Sequence, residues 1–438
     1  MHLVSTFREL LLELTPIMTT PTFQSFLILV AGWLFARKRT VTGMIQAAGA
    51  LGRKHHSAFH RVFAAARWSL DEFGLLVFGM ARHLLRPGQT IFLALDDTLA
   101  RKRGLKVFGV GMHHDPLLSS RSKAIVNWGH SWVVLGVLVQ LPLLKGRWFC
   151  LPILFRLYRS KQTIAASGGT YRSRPELAVQ MLQLVCKAFP KQHLHVLADS
   201  AYSGKSVVKH LPENCDLTGR MHMQAALYEI LDPQTRAGRG RPRKRGQRRP
   251  CPEKMLEGNG TQIELNVYGR HEKAKVGTCR ALWYATAGSR PLRVVAVEPL
   301  TGGRKRQAFY CTCADASALD VLGWCARRWS LEVAFHDAKG YLGFEEPQGW
   351  TRRAVLRTAP TAMLLYSLIV LWFSRAGHRH LSLPDRPWYR HKSQPSFADM
   401  LTTLRRECLR ETFLQSPAWD ERSTKMLRSL IELCCRAA

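Results

Sequence analysis

Hydrophobic periodicity divides the chain into a helical start, a strand-rich middle and a helical end. Over residues 1 to about 85, apolar positions recur at helical spacing. Thr20-Pro21 supplies a cap and a first-turn proline, and the apolar run behind it reaches Phe35 before the basic ARKRT. Two shorter amphipathic pieces, TVTGMIQAAGAL and HHSAFHRVFAAARW, are joined by GRKH. From about 90 the runs shorten to strand length: IFLALDD, then WVVLGVLVQLP and RWFCLPILFRLY as a hairpin across LLKG. A helix begins at the capping box Ser173-Arg174-Pro175-Glu176 and continues through LAVQMLQLVCKAF. HLHVLADS is a second apolar strand ending in an acid, followed by a helix started at Gly204 and the strand CDLTGRMHM. QIELNVYG, CRALWYA, LRVVAVEPL and QAFYCTC then read as strands of a small inserted sheet. Beyond them the pattern is helical to the end, broken by a polar, proline-containing stretch near 378–396.

The last long element of this middle region carries the candidate chemistry. On a helix, RRWSLEVAFHDAKG puts Arg328, Glu332 and Lys339 on one polar stripe, beside the apolar Leu331, Phe335, Ala338 and Leu342. Alone, this is equally an amphipathic helix with (i, i+4) ion pairing. Strand, hairpin, helix, strand is, however, the order of a ribonuclease H-like α/β domain. Such a site needs acids at neighbouring strand ends, because carboxylates projecting from one sheet edge can share divalent ions. Asp97 and Asp199 stand at two such ends, and Glu332 can supply a third acid from the helix.

Composition narrows the partner. Against 31 Asp and Glu stand 64 Lys and Arg, a net charge of +33, so a polyanion, nucleic acid first, is the expected ligand. The charge is densest at RAGRGRPRKRGQRR, residues 236–249, which glycines and prolines make an exposed loop. Within it Arg239, Arg241, Arg243, Lys244 and Arg245 are candidate DNA contacts, and Arg239 to Pro242 matches an RGRP core that enters A·T-rich minor grooves. Arg53, Lys54, His55, His56, His60 and Arg61 open the second of the two short N-terminal helices, which fits either a helix-turn-helix reader or an ordinary helical hairpin.

The hydrophobic share of 46% suffices for a sizeable core. No apolar run reaches the ~18 residues of a membrane span, and Phe26 to Phe35 and Ala359 to Phe373 read as buried helices. The first residues have no leader pattern, so the expected location is the cytoplasm, at the nucleoid, without a membrane partner. The 11 cysteines form no CxxC pair, and Cys311, Cys313 and Cys325 lack zinc-ligand spacing, so reduced and mostly buried thiols are expected. His113-His114-Asp115 reads as a loop histidine pair near DNA.

Taken together, the three acid-bearing blocks resemble the DDE transposases of bacterial insertion sequences over about 90 to 375. The likeness is greatest to the cut-and-paste group whose third block reads Tyr, two residues, Arg, three residues, Glu, six residues, Lys. Arg328, Glu332 and Lys339 fit that spacing, Trp329 fits the Trp that often follows the Arg, and LALDDTLARKRG and VLADSAYSG are similar to the first and second blocks. The resemblance implies that Asp97 (with Asp96 as the fallback), Asp199 and Glu332 are catalytic acids. They would hold Mg²⁺, or Mn²⁺, for two-metal phosphoryl transfer. Arg328, Lys339 and Trp329 would handle DNA, and a homodimer on double-stranded DNA would cut transposon ends and join the 3′-ends to a target.

One departure stands out: the Tyr of the third block falls at Cys325, and the adjacent Trp324 lies about 100° away around a helix. The organisation this implies is a helical DNA-binding region (1–88), the first part of a ribonuclease H-like core (89–230), a basic loop with a β-rich insertion (231–315), the rest of the core with the Glu helix (316–375) and a helical C-terminal region (376–438). A stand-alone nuclease of the same fold would lack a use for the basic insertion and the N-terminal helices. A DNA-binding protein that had lost its chemistry would be expected to have lost an acid first.

Overall fold

The computed structural model describes residues 2–115, 118–120, 122–144, 146–231, 243–258, 260–267, 270–301, 304–383, 392–414 and 420–437. Five helices open the chain: α1 (Ser5–Leu12), α2 (Thr20–Phe35), α3 (Val41–Ala47), α4 (His56–Ala64) and α5 (Leu70–Arg82). Then come β1 (Ile91–Arg101), β2 (Gly111–His114), β3 (Val126–Gln140), β4 (Trp148–Tyr158), α6 (Lys161–Ser167), α7 (Arg174–Ala188), β5 (Leu194–Ala198), α8 (Lys205–Val208) and β6 (Cys215–Met221). The region up to residue 311 adds β7 (Leu227–Tyr228), β8 (Arg248–Arg249), α9 (Pro252–Glu257), β9 (Thr261–Val267), β10 (Arg270–Leu282), α10 (Tyr284–Ala287), β11 (Pro291–Pro299) and β12 (Gln307–Cys311). Helices α11 (Ala318–Arg327), α12 (Trp329–Leu342), α13 (Arg352–Arg375), α14 (Phe397–Leu414) and α15 (Glu421–Ala437) close the chain.

The central strands run in the order β4-β3-β1-β5-β6, with β1, β5 and β6 parallel and β3 and β4 antiparallel to their neighbours. This is the ribonuclease H-like arrangement. Ile91 to Leu95 of β1 are all buried, as strands covered on both faces must be. Ser173 makes the expected capping box with Glu176 at the start of α7, which fixes where that helix leaves the hairpin.

The strands of the insertion do not form a separate sheet. β12 pairs antiparallel with β6, and β11, β10 and β9 follow, so the whole makes one 12-stranded sheet. An unpaired edge of β6 is a ready template for another strand, and β12 covers it. Alternation shows that segments are strands but does not name their partners.

The N-terminal helices share the main core, which is continuous from α1 to α14. Trp33 donates its indole N–H to the Leu342 carbonyl at the end of α12 (2.8 Å), Trp372 of α13 donates to the Thr6 hydroxyl (3.0 Å), and Arg405 of α14 donates to the Leu34 carbonyl (2.6 Å). Between α3 and α4 lie residues 48–55, a connection too long for a tight helix-turn-helix turn. α13 is long and apolar enough to cross a bilayer, since its apolar run extends beyond Ala359 to Phe373, but 89% of its most apolar stretch is buried inside the protein. All 11 cysteines are free thiols, and only Cys434 is exposed.

One further sequence expectation changes. His113 and His114 are not in a loop but on β2, paired with β3, and Asp115 beside them is 1% exposed, held by Arg101 (2.8 Å) and Asn127 (2.7 Å). Of the basic loop, Arg239 and Arg241 lie outside the described residues. Arg243, Lys244 and Arg245 are exposed, and Arg245 stacks over Tyr228 (4.2 Å) and Tyr284 (5.4 Å).

Candidate active site

β1 does not end at its acids. Pairing with β5 stops at Leu95–Ala198, whereas pairing with β3 continues to Arg101–Gly129. Asp96 and Asp97 therefore stand where β5 gives out, next to Asp199, the first residue past the end of β5. Successive side chains on a strand point to opposite faces, so the two neighbours cannot share a role.

Asp97 faces α7. It accepts from the Tyr202 hydroxyl (2.9 Å), and Arg174 lies 3.4 Å from its other oxygen. Arg174 also donates to Ser131 of β3 (3.1 and 3.2 Å) and stacks on Tyr158 of β4 (4.3 Å). Burial raises the Asp97 pKa, opposed by Arg174 and the Tyr202 hydrogen bond, and Asp199 adds to the rise. Asp96 faces the other way, toward α12, and is bonded to the Arg328 guanidinium. The same guanidinium donates to Glu332 (2.9 Å), one helical turn on. The structure thus joins Asp96, not the first-ranked Asp97, to Glu332 through Arg328.

Electrostatics couple these groups, and Asp199 acts on both Asp96 and Asp97. Burial pushes the Asp96 carboxyl up to about 7, with Arg328 pulling against it and Asp199 and Asp97 adding to it. Burial works against the Arg328 charge, yet Asp96, Glu332 and Asp199 hold its pKa above the ordinary arginine value. Asp199 is anchored locally, accepting from the Ala201 amide (2.8 Å).

The rest of the first block and of the Glu helix holds this arrangement in place. Lys339 does not point its ammonium at solvent: it donates to the Leu99 carbonyl of β1 (2.7 Å), with Glu345 at 3.8 Å, and burial lowers its pKa. Lys102 donates to the carbonyls of Glu345 (2.8 Å) and Pro347 (3.0 Å), and burial lowers its pKa to about 8. These bonds clamp α12 and the segment after it onto the far end of β1. They set the height at which Glu332 meets Asp96.

Beside Asp199 and Arg328 opens a cavity of about 270 Å³, lined also by Arg220, Arg304, Cys325 and Trp329. Cys325, at the position of the Tyr, is a thiol whose pKa burial pushes up to about 12. Trp324 packs inward against His195 (4.6 Å) and Phe92 (5.2 Å), so it does not take the place of a phenol here. Trp329 is 48% exposed at the start of α12.

The donor chemistry suits a hard divalent cation. All three acids are carboxylates, and burial, with a smaller contribution from Asp199 and Asp97, raises the Asp96 pKa, a cost of holding its charge that a dication would relieve. Among the described residues no three acidic, histidine or cysteine side chains converge on one point as they stand, and Arg328 is the group bonded to both Asp96 and Glu332.

Sequence reasoning missed Arg174 and Tyr202. Arg174 was hidden inside a helix-capping motif, whereas Tyr202, three residues past Asp199 in VLADSAYSG, could have been flagged as a buried phenol beside an acid block.

No curated protein matches the chain. Among the solved structures that match is the piggyBac transposase synaptic complex with hairpin DNA, 12% identical, covering 94% of this chain and 75% of that one. The TM-score of 0.41 is too low to carry a role from one protein to the other. A family model described as DDE superfamily endonuclease matches residues 13–283, a segment that contains Asp96, Asp97 and Asp199 and ends before Glu332. Covering more than half of the sequence, that match shows that the chain belongs to the DDE superfamily endonucleases.

Proposed function

We propose that this endonuclease is a DNA transposase that binds the ends of a mobile element, cleaves the DNA there and joins the 3′-ends to target DNA. The observation that carries the reading is the Asp96–Arg328–Glu332 bridge beside Asp199, at the strand ends of a ribonuclease H-like sheet. Asp96, Asp199 and Glu332 would hold Mg²⁺ or Mn²⁺. Divalent ions held there supply activation of an attacking water or 3′-hydroxyl and neutralisation of charge on the leaving oxygen.

The chain's own groups do the rest. Arg328 carries a planar fork of donors suited to a phosphate, so with the acids engaged elsewhere its charge is available to the strand being cut. Asp97 fixes Arg174 and Tyr202 and thereby the face of β1 opposite the acids. Lys339 and Lys102 set the distance between helix and strand. The +33 charge and the exposed Arg243 and Lys244 draw in the duplex, which a homodimer in the cytoplasm would hold at two ends.

The test is an assay on the DNA flanking the gene. Inverted repeats there should be cut with Mg²⁺ or Mn²⁺ and not with EDTA, and a pre-cut 3′-hydroxyl end should be joined to a plasmid. Cutting without joining would make the protein a stand-alone nuclease.

A further inference from the structure

We propose that the cleft between β4, α6 and the first turn of α13 is a second DNA-backbone site, in which Arg159 and Arg352 take phosphates of the bound duplex. The proposal rests on the reading of the protein as a DNA-cutting enzyme and adds where, away from the acids, the duplex is gripped.

A cavity of about 230 Å³ opens here, and among the described residues no carboxylate lines it. Arg156 in its wall is already neutralised by Asp71, in a two-pronged pair at 2.7 and 2.9 Å. Among the described residues Arg159 and Arg352 have no carboxylate partner: Arg159 donates to the Gly168 carbonyl (2.9 Å) and the Ser167 hydroxyl (3.3 Å), and both guanidinium groups lie over the Phe108 ring, at 5.2 and 5.8 Å from its centre. Burial and the charge of Arg352 lower the Arg159 pKa, as expected for like charges held together. A bound anion would supply the counter-charge.

The backbone adds to this field. Arg352 is the first residue of the 24-residue α13, the Thr351 side chain does not cap it, and its first turn holds no acid. Its leading N–H groups and positive dipole end therefore face the same place. An adjoining cavity of about 430 Å³ shares Arg156 and Arg352 and is lined by Trp132, which is 1% exposed. The Trp132 indole N–H is buried without an acceptor. Guanidinium charge without a carboxylate calls for a ligand rich in acceptor oxygens.

On the reading of the protein as a DNA-cutting enzyme, that ligand is the DNA backbone. Arg174, 3.4 Å from Asp97, stacks on Tyr158, the residue immediately before Arg159. The cleft thus continues from Arg174, on the face of β1 opposite Asp96, along the end of β4.

The experiment uses the full chain and a short duplex, with binding followed by fluorescence anisotropy over a range of salt. Arg159→Gln with Arg352→Gln should make the slope of log K against log salt less negative by ~1.8, from ~0.9 per phosphate contact. Arg352→Gln alone should give about half of that. Lys425→Gln with Arg428→Gln, which removes the same charge from exposed positions on α15, should leave the slope near wild type. Arg159→Lys with Arg352→Lys should restore most of it, and circular dichroism reports whether each variant folds. A slope in the Gln pair equal to that of the α15 control overturns the proposal. So does thermal stabilisation of the wild type by inorganic phosphate with no change of DNA slope, which would make the cleft a free-phosphate site. Metal-dependent cleavage is scored separately, so a lowered slope in a protein that cuts nothing would uphold the cleft and sink the catalytic reading.

Discussion

Arg357→Met should loosen the hold of α13 on the turn that follows α4. The Arg357 guanidinium on α13 donates to the carbonyls of Ala66 (2.7 Å) and Trp68 (2.5 Å), approaches that of Phe63 (3.4 Å) and lies 4.5 Å from the Trp68 ring. Two short charged hydrogen bonds are worth roughly 1.5–3 kcal/mol each and the ring contact about 0.5–1. Methionine keeps the aliphatic stem, and water reaches part of the vacated space, so the net loss should be ~2–4 kcal/mol. Native-state hydrogen exchange at the amides of α4 and the turn after it measures that loss directly, as a fall in opening free energy. Arg353→Met, whose contact is a single 3.2 Å bond to the Ala65 carbonyl, should cost under ~1 kcal/mol. Equal effects from the two substitutions would refute the claim that Arg357 holds this turn onto α13.

Three other outcomes follow from local geometry. Gly343 ends α12 in the left-handed region (φ 61°), and a Cβ there would lie 2.7 Å from the Glu346 carboxylate, so Gly343→Ala should lower stability by roughly 1–2 kcal/mol in a urea titration. His195 is buried against Thr218 (2.8 Å) with its pKa lowered to about 4 from 6.5. Its neutral form is favoured in the fold, so this stability is complete above pH 6.5 and is lost as pH falls toward 4. His195→Gln should flatten the decline by up to ~1.4 kcal/mol per pH unit, seen in urea midpoints across that window. Arg243→Gln with Lys244→Gln, both exposed, should reduce the salt slope of DNA binding by up to ~1.8, whereas Arg245→Gln, which stacks on two tyrosines, should act more on stability than on slope.

Much of this was legible because local chemistry dictated it. The capping box at Ser173, the hairpin of β3 and β4, and the (i, i+4) relation of Arg328 and Glu332 all depend on residues near one another in sequence. The choice between Asp96 and Asp97 was not legible. It depends on which face of β1 meets α12, and a strand buried on both faces has no polar side to declare it. The role of Lys339 was hidden for a related reason, since the carbonyl it binds lies 240 residues away. Sheet continuity from β6 to β12 likewise rests on a pairing across the whole insertion, which alternation alone does not specify.

The central claim is that Asp96, with Asp199 and Glu332, forms the catalytic acid set. Its most direct test compares Asp96→Asn with Asp97→Asn for Mg²⁺- or Mn²⁺-dependent cleavage of end DNA, with DNA binding and circular dichroism measured alongside. Cleavage should vanish in Asp96→Asn, as in Asp199→Asn and Glu332→Gln, while all three still bind DNA, and Asp97→Asn should retain measurable activity. Full cleavage in Asp96→Asn together with its loss in Asp97→Asn would contradict the account and move the site to the α7 face of β1.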